Sequence, residues 1–311
     1  GNVNMVVQDN AYLSYMQQRF KRIDYDYDLL SGKVNMLSYN HGYADQYYQR
    51  YNYDADNRIT KAETSKDGLH WDRDAAYTYY RHGPLAEMQL GDLNVQGIQY
   101  AYTIQGWLKA INGDVLNPEE DMGKNGVAGS VYPADVMAHA LDYYNKDYKA
   151  IDASASVTHT PSLTRSLYNG NIARQTTAIS GMDNLVRDYS YDQLHRIKSA
   201  TYSAYDNMSY AISSLANAYQ NNYSYDADGN LQALSRFNGQ AEEIDNFTYH
   251  YTNAVQNNKL AYVQDAAAAT GAGDLQPGQT NDNYTYDAIG NLKTDRQEGI
   301  KDISWNSYGK M

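Results

Sequence analysis

Residues 283–295 read NYTYDAIGNLKTD, and residues 222–234 read NYSYDADGNLQAL. Two aromatics one residue apart, an aspartate, a glycine three positions later and then an apolar residue form a phrase with a physical reason at each position. Tyr284 and Tyr286 alternate with Thr285, so on a strand both rings fall on one face of the pleat. Asp287 stands where a type I turn begins, and its carboxylate can accept a main-chain N–H two residues on. Gly290 supplies the positive φ that closes a tight hairpin with a G1 bulge, and Leu292 opens the return strand. The unit is a β-hairpin with an aromatic face.

Anchored on the second aromatic, the template asks for a turn residue at +4 and an apolar residue at +6. It is met at Tyr53 (Asn57, Ile59), Tyr79 (Gly83, Leu85), Tyr102 (Gly106, Leu108), Tyr191 (His195, Ile197), Tyr225 (Gly229, Leu231) and Tyr286 (Gly290, Leu292). Trp305 meets it with Gly309 and Met311, and Tyr27 meets it with one inserted residue (Gly32, Val34). In seven of these eight copies the residue two before the anchor is also tyrosine: Tyr25, Tyr51, Tyr77, Tyr100, Tyr189, Tyr223 and Tyr284, with Ile303 in the eighth. A single hairpin is marginal in water, but units of this length stacked edge to edge extend a continuous sheet.

The wider intervals between anchors hold insertions. Residues 112–136, rich in Gly, Pro and Asp, read as a long loop, and residues 265–282 read as a flexible excursion. AHALDYYNKDYKAI (138–151) and SLYNGNIARQTTAI (166–179) read as additional strands, and 208–220 as a short helix or a turn-rich link. Residues 1–311 are therefore one continuous repeat segment, expected to be a piece of a longer polypeptide because Met311 falls within the last copy.

Composition agrees with this reading. There are 34 Tyr against 3 Phe and 3 Trp, so nearly every ring available for packing carries a hydroxyl that needs a partner. That favours partly wet, ladder-like packing over a dry centre, and the mean hydropathy of -0.74 fits it. A net charge of -12 argues against nucleic acid as a partner, since phosphate binding needs clustered Lys and Arg. With no cysteine, disulfides, thiolate metal sites and thiol nucleophiles are excluded. No stretch is apolar enough to span a membrane, and GNVNMVVQDN at the start does not read as a signal peptide.

Several phrases invite a sharper reading. DADGN (226–230) imitates the start of a calcium loop, but Leu231 holds the glycine position and Phe237 the glutamate position, while DADN (54–57) fails likewise at Ser65. Turn chemistry explains both. The seven histidines, His41, His70, His82, His139, His159, His195 and His250, show no HExxH or paired spacing, and no Gly-x-Ser-x-Gly elbow occurs. Glu119-Glu120 and Glu242-Glu243 fall in polar loops. The sequence thus yields no catalytic, metal or cofactor residue, and no enzyme is expected. Carbohydrate binding is the rival to a structural role, because rows of Tyr can stack on sugar rings. Rings packed in ladders against neighbouring hairpins would be structural, whereas rings exposed as a flat patch would suit a sugar.

The registered series, together with the stretch 45–92, QGIQYAYTIQGWLKAINGD (96–114) and YNGNIARQ (168–175), resembles the RHS/YD-repeat family over nearly the whole chain. The resemblance implies an all-β fold with few or no helices, its hairpins joined in a long sheet that spirals into a hollow shell, as in polymorphic toxins, insecticidal toxin complexes and teneurins. It also implies a secreted or cell-surface bacterial protein. Its partners would be the rest of its own polypeptide, an enclosed toxin or other cargo, and a secretion machine, with glycans as the alternative partner. The core that releases the C-terminal domain by self-cleavage in that family is not found in these residues, nor is a recognisable toxin.

Overall fold

Tyrosine alternating with small or polar residues, cut every few positions by a turn residue, builds short strands. The computed structural model describes residues 2–16, 19–150, 157–206, 208–252, 258–267, 275 and 278–311. Among them the protein is all-β, with no α-helix and one 3-10 helix at Ala11–Met16. The chain divides into two units, Gly1–Leu141 with Lys146–Thr160 and Thr177–Met182, and Asp142–Asn145 with Pro161–Thr176 and Asp183–Met311.

The first unit contains β1 (Met5–Asp9), β2 (Phe20–Tyr27), β3 (Val34–Tyr39), β4 (Tyr47–Tyr53), β5 (Ile59–Ser65), β6 (Asp72–Tyr79), β7 (Leu85–Leu90), β8 (Gln96–Tyr102) and β9 (Leu108–Ile111), followed by β10 (Met137–Asp142). Each strand from β1 to β9 pairs antiparallel with the next in sequence, and β9 pairs with β10. β11 (Arg174–Ile179) carries residues of both units. β10 begins one residue before the stretch 138–151 read as a strand, and β11 forms the end of the stretch 166–179.

The second unit contains β12 (Leu185–Tyr191), β13 (Ile197–Tyr205), β14 (Ile212–Ser214), β15 (Asn221–Tyr225), β16 (Leu231–Phe237), β17 (Glu243–Tyr251), β18 (Leu260–Asp265), β19 (Tyr284–Tyr286) and β20 (Leu292–Asp295). β12 pairs with β13, which pairs with both β14 and β15; β15 to β18 then pair in order, and β19 pairs with β20. Residues 208–220 are a turn-rich link containing β14 and no α-helix. Of the excursion at 265–282, residues 268–274 and 276–277 lie outside the described residues.

The buried apolar side chains are mostly small. Ala101, Ala110 and Ala140 sit side by side on β8, β9 and β10, with Ala110 the register partner of both others, and all three are fully buried. Val157 joins this row, and Met122 and Tyr148 pack against it. Alanines bury little area, so the sheet depends on its hydrogen-bond ladders and cross-strand side-chain contacts more than on a thick apolar core. Residues 112–136 form no strand, yet Asn112, Asp114, Val115, Asp121, Asn125 and Asp135 are all buried.

Candidate functional site

The hairpin turn is the recurrent local structure. Its anchor aromatic pairs with the apolar residue read at +6: Tyr53 with Ile59, Tyr79 with Leu85, Tyr102 with Leu108, Tyr191 with Ile197, Tyr225 with Leu231, and Tyr286 with Leu292. Tyr27, with its inserted residue, pairs with Val34. A register shift falls immediately before every one of these anchors, as a hairpin closed through a bulge requires. The +4 residue is left-handed throughout, with φ of 60° at Asn57, 64° at His195, 94° at Gly229 and 98° at Gly290. His195 therefore stands where it does because an imidazole tolerates that backbone region better than a branched side chain.

The residue after the anchor ties the turn together. Asp287 Oδ1 accepts from Ile289 N at 3.0 Å and Asn291 N at 2.8 Å, while Oδ2 accepts from Asn291 Nδ2 at 2.9 Å. Asp226 is bound in the same way by the main chain and side-chain amide of Asn230, and Asp54 and Asp192 by Arg58 and Arg196. These bonds hold all four carboxyls below the ordinary aspartate range, against the opposing effect of desolvation. For Asp192 and Asp287 desolvation is the largest single effect, and the combined hydrogen bonds from Arg196 or Asn291 and neighbouring amides outweigh it. The two phrases that imitate calcium loops, at 54–57 and 226–230, thus use their first aspartate to hold a turn.

A second set of contacts joins five of the hairpins to the one before. Tyr53 Oη donates to Val34 O at 2.7 Å, Tyr79 to Ile59 O at 2.7 Å, Tyr251 to Leu231 O at 2.8 Å, and Tyr286 to Leu260 O at 3.0 Å. Trp305 Nε1 repeats the contact on Leu292 O at 2.8 Å. The acceptor in each case is the first residue of the preceding return strand. In the other direction, the cation just before that residue reaches forward. The Arg58 guanidinium lies 4.5 Å from the Tyr79 ring centre and bonds Gly83 O, Arg196 lies 4.8 Å from the Tyr225 ring and bonds Asp226 O, and Lys259 lies 5.5 Å from the Tyr286 ring and bonds Asp287 O. At Tyr79 and Tyr286 ring, hydroxyl and cation together form a clasp between successive hairpins, and at Tyr53, Tyr251 and Tyr225 one half of it is present. Every paired aromatic of the template is half-buried, and none of them belongs to the exposed large side chains.

The histidines are dispersed. His41 contacts the Tyr48 hydroxyl, His70 bonds Asp67 at 2.7 Å, His82 stacks on Tyr80, and His250 stacks on Tyr262 with ring centres 4.2 Å apart. His139 lies 3.1 Å from Thr177 Oγ1, and His195 Nδ1 bonds the Asn169 amide. His159 alone meets two carboxylates: its Nδ1 is 2.9 Å from Asp114 Oδ1 and its Nε2 is 3.2 Å from Glu120 Oε2. Burial opposes its charge, but the bond to buried Asp114 and the field of both carboxylates outweigh burial and hold its pKa above the ordinary value. Both ring nitrogens are thereby committed. Glu242 and Glu243 bond Asn238 and Asn246 respectively, so neighbouring acids serve different local contacts.

The stretch 112–136, read from sequence as a long loop, holds a buried polar cluster. Asp121 Oδ2 accepts from Gly123 N and Asn125 N, both at 2.8 Å, and Asn125 Nδ2 lies 3.0 Å from Asp135 Oδ1. Burial, with the adjoining Asp121 carboxylate next in importance, pushes Asp135 up to about 8. Among the described residues no three His, Asp or Glu side chains gather as metal ligands, so any cation here would need amide or main-chain oxygens as well. The only signal in the sequence was the density of Asp, Asn and Gly in that loop.

No family model matches the chain, and no curated protein does. Solved structures similar to it include the Photorhabdus luminescens Tc holotoxin pore, at 13% identity over 96% of this chain and 18% of that one, with a TM-score of 0.32. Crystal structures of TcdB2-TccC3 (13% identity, 96% and 19% coverage, TM-score 0.32) and TcdB2-TccC3-TEV (12%, 97% and 19%, TM-score 0.34) are similar to a like degree. The chain spans about a fifth of the length of these structures.

Proposed function

We propose that this chain is a wall segment of a large secreted or cell-surface RHS-type protein, in which stacked β-hairpins enclose a toxin or other cargo polypeptide. The observation that carries the proposal is the clasp: anchor hydroxyls reaching back to the preceding return strand, and cations reaching forward to the next ring. A repeat that spends its aromatic rings and hydroxyls on the neighbouring repeat is built to extend itself. The same contacts leave the template rings half-buried, which favours the wall over a flat sugar-binding face. The mechanism is confinement rather than catalysis: a sheet with few free edges resists edge-to-edge aggregation and screens the enclosed chain from solvent and proteases. Limited proteolysis of the full-length protein tests the reading. The enclosed domain should resist cleavage under conditions that digest it when free, and equal susceptibility in the two states would refute confinement.

A further inference from the structure

We propose that the loop at 112–136 binds a calcium ion through the carboxylates of Asp121 and Asp135 and the side-chain oxygen of Asn125. All three residues are at least nine-tenths buried, with exposures of 6%, 9% and 0%. Each keeps one oxygen that no donor meets: Asp121 Oδ1, Asp135 Oδ2 and Asn125 Oδ1. The opposite atom of each group is held in place. Asp121 Oδ2 is fixed by the main-chain N–H groups of Gly123 and Asn125. The Asn125 amide nitrogen faces Gly97 O at 2.9 Å, Gln99 Oε1 at 3.2 Å and Asp135 Oδ1 at 3.0 Å. Three acceptors around that nitrogen settle which end of the amide is oxygen. Asp135 is held by the same amide, so the bare oxygens belong to one small group of side chains, with Asn125 bridging the two acids.

Two adjoining carboxylates in a buried setting are costly unless something positive offsets them. No Lys, Arg or His among the described residues pairs with either acid. Lys124, the one basic residue of the loop, is turned to Glu119 O. A shared proton would join two carboxylate oxygens and leave the Asn125 oxygen without a donor, whereas one cation serves all three. An oxygen-only set of two carboxylates and an amide, presented by an irregular loop, suits a hard cation with flexible geometry, and calcium more than magnesium, which demands a near-ideal octahedron. The loop is closed tightly round the site. A Cβ on Gly123 would lie 2.5 Å from the Gln99 amide, and one on Gly126 would lie 2.6 Å from Ala134 Cβ.

The site is independent of the wall reading. Calorimetric titration of the chelator-treated 311-residue chain with Ca2+, and separately with Mg2+, tests it directly. The expected result is one Ca2+ per chain, a thermal midpoint that rises with Ca2+ concentration, and weaker binding of Mg2+. Asp135→Asn keeps the side-chain shape and should lower Ca2+ affinity about tenfold or more, because it removes a ligand charge. Asp121→Asn should lower it too, with some loss of fold because Asp121 also ties the loop backbone. Three results would overturn the assignment: no Ca2+ binding at millimolar concentration, Ca2+ affinity unchanged in Asp135→Asn, or tighter binding of Mg2+ than of Ca2+. Absent binding together with an Asp135→Asn variant at least as stable as the parent would identify a shared proton as what joins the two acids.

Discussion

Replacing Tyr79 by Phe removes one oxygen and tests the clasp without altering the ring. The Tyr79 hydroxyl donates to Ile59 O at 2.7 Å, and the ring it sits on is covered by Arg58 at 4.5 Å. Phenylalanine keeps the ring's packing and most of its attraction for the guanidinium, so the loss is one half-buried hydrogen bond, about 1 kcal/mol. For a protein whose urea dependence is about 3 kcal/mol per molar, that moves the unfolding midpoint down by about 0.3 M with the slope unchanged. Tyr12→Phe is the control, because Tyr12 is 95% exposed and lies outside the ladder. Tyr53→Phe and Tyr286→Phe should each reproduce the Tyr79 loss, since their hydroxyls make the equivalent bond to Val34 and Leu260. A double-mutant cycle with Arg58→Met and Tyr79→Leu should then show a coupling of about 0.5 to 1 kcal/mol from the cation and ring. If Tyr79→Phe and Tyr12→Phe unfold at the same urea concentration, the hydroxyl does not fasten one hairpin to the next and the clasp is wrongly identified.

Asp287→Ala should cost about 1 kcal/mol and speed hydrogen exchange at the Ile289 and Asn291 amides, which lose their acceptor; loss of a measurable activity at unchanged stability would show that the residue is more than a turn former. Gly229→Ala, at φ 94°, should destabilise by about 1 kcal/mol in a thermal melt, and an unchanged melting point would contradict the left-handed turn. Glu63 is brought down to about 2 by its hydrogen bond from Arg50, working against its burial and helped by Lys61. Its folded pKa lies below the unfolded value near 4.5, so its stabilising contribution is complete above that value and fades as the pH falls toward 2. Glu63→Gln should therefore flatten the stability profile between those two pH values, and a parallel decline in parent and variant would refute the assignment.

The hairpins were legible because each template position has a local cause. A turn aspartate at Asp287, a left-handed residue at Gly290 and an apolar partner at Leu292 depend on residues a few places apart, and the structure closes those positions as read. The contacts between hairpins were harder to see. Arg58, Arg196 and Lys259 occupy a position the template leaves open, and their value depends on a ring in the next hairpin. Tyr251 escaped the template because its register partner is Leu260, further along the chain than +6, although its hydroxyl makes the same bond as Tyr53 and Tyr79. Asp121 and Asp135 could not be paired from sequence, since what joins them is the Asn125 amide, itself positioned by Gly97 and Gln99 on β8.

The excess of tyrosine over phenylalanine follows from the thinness of the core. A sheet whose fully buried row is Ala101, Ala110 and Ala140 gains little from apolar burial at that row, so neighbouring hairpins need another source of fixed register. A phenylalanine ring at an anchor could slide along the preceding strand with little change in contact area. A tyrosine hydroxyl bonded to one particular carbonyl cannot, because a shift by one residue would leave both the hydroxyl and that carbonyl without their partner. The recurring acceptors at Val34, Ile59, Leu231 and Leu260 occupy the same position at the start of the return strand, so the hydroxyl selects one register at each of these junctions. Trp305 fits the same logic: its indole N–H, the polar handle on that ring, bonds Leu292 O where the tyrosine hydroxyl would. At Tyr53, Tyr79, Tyr251, Tyr286 and Trp305 the ring that sets the register is an aromatic bearing a hydrogen-bond donor.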